Sequence, residues 1–97
     1  MIIKTTSVFD KWFENLRDRQ IKVKVRGRIE RAALGNFGDY KSVGGGVSEM
    51  RINYGPGYRL YYTKRGEEII LLLVGGNKGT QQADIAKAHE ILKELKG

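Results

Sequence analysis

No cysteine occurs among the 97 residues. Disulfide frameworks, thiol nucleophiles and cysteine-based metal sites are therefore excluded. Histidine is nearly absent too: His89 is alone, so neither a histidine pair nor a histidine-rich metal cluster can form. Acid is the scarcer charge, with 11 Asp plus Glu against 18 Lys plus Arg and a net charge of +7. A small domain this basic meets a polyanion or an acidic partner. A membrane surface is the other option, but no lipid-facing aromatic stripe supports it. Long hydrophobic runs are missing: Ile69–Val74 falls far below the roughly 20 residues that span a bilayer. Met1-Ile2-Ile3 is followed at once by Lys4-Thr5-Thr6-Ser7, so no secretory signal is expected and the expected location is the cytoplasm. The length predicts one domain, 1–97, around a single modest core.

The most informative stretch runs from Val47 to Lys78. Val47–Tyr54 and Tyr58–Lys64 each alternate apolar and polar residues, the period of a half-buried strand. Gly55-Pro56-Gly57 supplies the turn between them. Ile69–Val74 is apolar throughout, as in a strand buried on both faces. Together these predict an antiparallel meander with Ile69–Val74 inside the sheet. Alternation puts Met50, Ile52, Tyr54, Tyr58, Leu60 and Tyr62 on one face. Glu49, Arg51, Asn53, Arg59, Tyr61 and Thr63 share the other. A three-residue turn pairing Tyr54 with Tyr58 would set Arg51 opposite Tyr61 and diagonal to Arg59, roughly 7–8 Å away. Two guanidinium groups flanking an aromatic suit a phosphodiester, because arginine grips phosphate bidentately and tyrosine stacks on bases. An ordinary solvated polar face, where isolated arginines are common, is the competing reading. As a phosphate ligand Arg59 is itself expected to face solvent, so Arg59→Ala should melt close to wild type.

Around this core the remaining elements follow. Met1–Thr5 reads as an edge strand. Ser7 with Asp10 has capping-box spacing, and Phe9, Trp12, Phe13 and Leu16 form the apolar stripe of a helix. Asp18 is placed to cap a second helix. Ile21–Arg26 alternates like a strand, yet Ile21, Val25, Ile29 and Ala32-Ala33 also form a helical stripe that Gly35 ends; we read it as helix. Between Arg19 and Arg31 lie six basic residues and one acid. That run is either a solvated face or a contact surface for RNA or an acidic partner. Asp39–Val43 reads as a short strand in a glycine-rich region that also carries Lys41. Gly44-Gly45-Gly46 lacks the spacing of a phosphate-cradling loop. Thr80 is placed to cap a last helix with the stripe Ile85, Ala88, Leu92 and Leu95, and His89 sits at its boundary. The order predicts an α+β domain with helices packed on one sheet.

Several motifs then carry a resemblance over nearly the whole chain. They are Phe9-Asp10-Lys11-Trp12 with Leu16-Arg17-Asp18, Gly35-Asn36-Phe37-Gly38-Asp39, Gly46-Val47-Ser48-Glu49-Met50-Arg51-Ile52, Tyr54-Gly55-Pro56-Gly57-Tyr58-Arg59, and Gly75-Gly76-Asn77-Lys78 with Thr80-Gln81 and Asp84-Ile85. Together they resemble the "addiction module killer" branch of the RelE/ParE toxin superfamily, close to HigB-type toxins. The resemblance implies a small twisted antiparallel sheet with two N-terminal helices and a C-terminal helix. It also implies the toxin of a type II toxin–antitoxin system, a ribosome-dependent mRNA endonuclease needing neither metal nor cofactor. A cognate antitoxin, commonly a helix-turn-helix (HigA-like) protein, would silence it. Residue by residue, Arg59 falls on the hairpin arginine, Lys78 on the position just after the last strand, and Arg51 on a strand lysine. The expected catalytic residues are thus Arg51, Arg59 and Lys78. The expected RNA contacts are Lys41, Tyr61, Arg19, Lys22 and Arg26, with the helix arginines, Arg19 and Arg28 among them, adding only diffuse attraction. Related enzymes carry Tyr or His near the start of the last helix. This chain has Gln81, Gln82 and Asp84 there, so no general base is assigned. A ParE-like gyrase poison and a plain RNA-binding module are the alternatives; one superfamily hosts both nuclease and poison.

Overall fold

The structure, a computed structural model, describes residues 1–96. The chain runs β1 (Ile2–Thr5), α1 (Ser7–Glu14), α2 (Arg19–Ala33), β2 (Tyr40–Gly44), β3 (Val47–Ile52), β4 (Tyr58–Arg65), β5 (Ile69–Asn77), a 3₁₀ turn (Lys78–Thr80) and α3 (Gln81–Lys96). The α+β architecture and the three helices are those expected. The cap of α1 differs: Thr6, not Ser7, accepts from the Phe9 amide at 3.0 Å. The Thr6 hydroxyl also donates to the Leu73 carbonyl, which ties the helix start to β5. Asp18 caps α2 as expected, accepting from the Gln20 amide. A 3₁₀ turn precedes α3; Asn77 caps it, and Thr80, expected at the start of the last helix, completes a reciprocal box with Asn77.

The ambiguous stretch after Asp18 is helical. A strand would put Ile21, Val23 and Val25 on one face. Instead Ile21 and Val25 are fully buried while Val23 is 66% exposed, as residues four apart and two apart on a helix must be.

Sheet order is β1-β5-β4-β3-β2. Strands β2 to β5 form the antiparallel meander. β1 departs from the expected all-antiparallel sheet by pairing parallel with β5, Ile2 beside Ile69. Parallel neighbours need a long crossover, and here two helices and three strands intervene. The meander's register differs as well. β3 stops at Ile52, and residues 53–57 make a longer loop in which Gly57 donates to the Tyr54 carbonyl. Ile52 therefore pairs with Tyr58, Arg51 with Arg59 and Glu49 with Tyr61. The shift is two residues, so each side chain keeps its face while its cross-strand neighbour changes.

Both faces of the sheet are covered. Phe9 of α1 and Ile21 and Val25 of α2 pack with Met50, Leu60, Tyr62, Ile70 and Leu72. On the opposite face Ala88 and Leu92 of α3 pack with Val47, Tyr61, Leu73 and Val74. At Gly75 and Gly76 these layers come closest. A Cβ on Gly75 would lie 2.1 Å from the Trp12 ring; one on Gly76 would lie 1.8 Å from Asp84 Oδ2. Only glycine admits both approaches. Among the described residues no helix is long and apolar enough to cross a membrane.

Candidate functional site

The α3 side of the sheet is not a solvated polar face. Tyr61 is fully buried beneath α3, so it cannot offer its ring to a base as expected. Burial raises its hydroxyl pKa, and the neighbouring charge of Glu49 adds to the rise. Arg59, expected to face solvent, keeps only 12% of its side chain exposed. Tyr61 packs under Ala88 and Leu92 of α3, and Arg59 is drawn in toward the Glu49 carboxylate.

The register sets Arg51 directly opposite Arg59. Like charges facing across a strand pair destabilise it. Glu49, fully buried on the same face, supplies the compensation. Its Oε1 lies 3.1 Å from Arg51 Nε and its Oε2 lies 3.6 Å from Arg59 Nε. Lys41 Nζ approaches Oε1 at 3.9 Å, and Gln81 Nε2 donates to Oε2 at 3.2 Å. Burying a carboxylate costs several kcal/mol unless it is paired and hydrogen-bonded, and four side chains answer that cost here. Arg59 Nε and the Tyr61 hydroxyl remain buried without a hydrogen-bond partner.

Beside this cluster opens a polar cleft of about 240 Å³ lined by Asp39, Arg51, Ile52, Asn53, Gly57, Tyr58, Arg59 and Lys78. The three residues expected to be catalytic, Arg51, Arg59 and Lys78, thus share one cavity. The hairpin contributes the arginines, and the turn after β5 contributes the lysine, whose amide donates to the Gly57 carbonyl at 2.7 Å. Arg59 Nη1 reaches the same carbonyl at 3.4 Å. Lys41 sits at the edge of the Glu49 cluster, 54% exposed.

The helix cations lie elsewhere. α2 packs on the other face of the sheet. There Lys22 and Arg26 rest over the Phe13 ring, at 5.6 and 5.3 Å from its centroid. Arg19 lines a shallow groove with Gln20, Val23 and Lys24. Arg28 is not a diffuse surface charge. Its guanidinium donates to the main-chain carbonyls of Arg51, Phe37 and Asp39, and burial, with the like charge of Arg31, lowers its pKa.

Three residues escaped the sequence reading. Glu49 looked like one more polar position on an alternating strand; only α3 overhead makes it a hub. Asp39, read as part of a short strand, lies ahead of β2 and lines the cleft. Asp84 sits over Gly76, accepts from the Thr80 hydroxyl at 2.5 Å, and has its pKa raised by burial despite that bond. Its proximity to Gly76 was hidden because nothing local in sequence marks which glycine a helix crosses. Among the described residues no three of His, Cys, Asp and Glu come together as a ligand set for a metal ion.

Comparison with known proteins gives a family. An uncharacterised protein of Haemophilus influenzae is 45% identical over 93 residues, covering 96% of this chain and 94% of its own length. Residues 11–96, which include every residue of the cleft, match the family described as phage-derived protein Gp49-like (DUF891). The chain belongs to this Gp49-like family.

Proposed function

We propose that this protein is the toxin of a type II toxin–antitoxin pair and cuts ribosome-bound mRNA without a metal. The observation that carries the reading is the convergence of Arg51, Arg59 and Lys78 on one polar cleft. The resemblance to RelE- and HigB-type toxins supports it independently.

In the reaction the RNA 2′-oxygen attacks the adjacent phosphorus. The bond to the 5′-oxygen breaks, leaving a 2′,3′-cyclic phosphate and a free 5′-hydroxyl. Charge accumulates on the phosphorane oxygens, and preorganised cations are the main stabilisation a protein can supply there. Arg51 and Arg59 present guanidinium groups to the phosphate. Lys78, also in the cleft lining, gives the leaving oxygen its proton. Asp39 is the carboxylate in the cleft lining and takes the proton from the 2′-hydroxyl. The ribosome holds the mRNA in line. Arg19, Lys22 and Arg26 on the far side add diffuse attraction to polyanions.

Growth should arrest when the chain is expressed without its antitoxin, and mapped mRNA ends in a translating extract should show cleavage. Arg59→Ala should fold and lose about 10²–10³ in cleavage rate, the usual cost of one donor to a reacting centre. A folded Arg59→Ala protein cutting at the wild-type rate refutes the site. The second reading, a ParE-like gyrase poison, is favoured by one observation: no Tyr or His stands at the start of α3 to move protons. Arrest with mRNA intact, in wild type and Arg59→Ala alike, would select it.

A further inference from the structure

The proposed reaction leaves one conspicuous group without a task. Glu49 is the only fully buried carboxylate among the described residues, and it sits behind the arginines rather than in the cleft lining. Both arginines turn the same atom toward it, Nε: that of Arg51 donates a hydrogen bond at 3.1 Å, and that of Arg59 stands at ion-pair distance, 3.6 Å. A guanidinium is planar and rigid, with five N–H donors in a fixed fork. Anchoring the Nε end restrains the plane of each guanidinium, while both side chains still line the cleft. Glu49 itself is held by the Gln81 amide from α3, so its own rotamer is set from above.

We propose that Glu49 is a positioning residue of the cleft: its carboxylate draws the Nε ends of Arg51 and Arg59 to itself, so that their guanidinium groups jointly meet one RNA phosphodiester. This rests on the reading that the cleft receives RNA. The arrangement trades attraction for geometry. A buried negative charge behind two cations weakens their field, so it works against anion affinity. What it gives in return is two forks held at a fixed separation, the preorganisation on which a transition state depends. Removing the charge while keeping the shape should therefore act oppositely on binding and on turnover.

The test uses Glu49→Gln and Glu49→Asp in the full chain. Binding of a short fluorescent RNA is measured by anisotropy. Single-turnover cleavage of mRNA on programmed ribosomes gives a maximal rate and a half-saturating concentration. Glu49→Gln is expected to bind the RNA as tightly as wild type or tighter. Its maximal rate should fall by about 10²-fold, the cost of a displacement near 1 Å at a reacting group. Glu49→Asp, which keeps the charge on a shorter arm, should recover part of that rate. A merely structural Glu49 would lower both quantities together through the folded fraction. A folded Glu49→Gln protein with the wild-type maximal rate overturns the proposal, and so does one with weakened RNA binding.

A second measurement needs no variant. In wild-type protein, nitrogen NMR should show the Nε–H groups of Arg51 and Arg59 rigid and slow to exchange, and that of Arg19 mobile. Equal mobility at all three overturns the proposal even if Glu49→Gln does not fold. If wild-type protein leaves mRNA intact, the endonuclease reading falls. The NMR and RNA-affinity results then still decide whether Glu49 sets the arginines.

Discussion

Arg19 and Arg28 are two arginines of one helix, and sequence alone treats them alike. Arg19 reaches into a shallow surface groove. Arg28 ties together the carbonyls of Arg51, Phe37 and Asp39, and so fixes the wall of the cleft from behind. Hydrogen bonds to a charged donor are each worth about 1.5–3 kcal/mol, and removing the donor strands the acceptors. Arg28→Ala should therefore cost about 2–4 kcal/mol in urea unfolding, while Arg19→Ala should stay within about 0.5 kcal/mol. Asp84 offers a test through pH. Burial raises its folded-state pKa above the ordinary 3.8, so the folded chain holds that proton more tightly than the unfolded chain. Its contribution to stability is present in full below 3.8 and is lost as pH rises through the folded value. Asp84→Asn removes this dependence. The variant should be the more stable protein at neutral pH, and its advantage should shrink as pH falls through the raised folded value and be gone below 3.8, read as the difference between two pH–stability curves.

At the scale of elements, α2 shows how a local pattern and a tertiary requirement can disagree. Alternation from Ile21 to Arg26 is a strand signal, and Gly27 in the middle lowers helix propensity. The helix forms because Ile21, Val25 and Ala32 reach one buried stripe, and packing of such a stripe outweighs propensity. Gly27 has no role in that packing: an added Cβ would meet only the Arg31 side-chain tip, at 3.9 Å. Gly27→Ala should stabilise the protein by about 0.5–1 kcal/mol, measured by chemical unfolding. A destabilised variant would mean that the helix carries a constraint at this position beyond its own backbone. The meander, its faces and the two arginines were legible because side-chain parity is written residue by residue. The register was not, since a turn of three or five residues preserves the same parity. Nor was the parallel pairing of β1, which depends on a partner 67 positions away. Glu49 and Tyr61 stayed hidden for a related reason: their burial comes from α3, and an alternating strand does not announce which of its polar positions a distant helix will cover.

Over the whole molecule the net charge of +7 is spread over both sides of the sheet. One basic region is the cleft, partly neutralised by Glu49; the other is α2, on the opposite face. On the proposed toxin reading, an acidic antitoxin that covers α2 should associate faster at low salt, and the rate should fall steeply as ionic strength rises. Arg19→Glu with Lys24→Glu should flatten that slope in stopped-flow binding while leaving the cleft intact. A wild-type rate indifferent to salt would remove electrostatic steering from the account.

The pairing of β1 with β5 has a consequence in time. Ile2 meets Ile69, and β5, the interior strand that β1 pairs with, is the last strand to be synthesised. On the ribosome, β1 and both N-terminal helices emerge long before the surface they cover exists. Closing so long a loop places this fold among the slower small domains. The β3–β4 hairpin, with Glu49, Arg51 and Arg59, can pair locally. Lys78 and Gln81 come from the last fifth of the chain. A nascent chain therefore carries half a cleft until Lys78, and Gln81 at the start of α3, have left the exit tunnel.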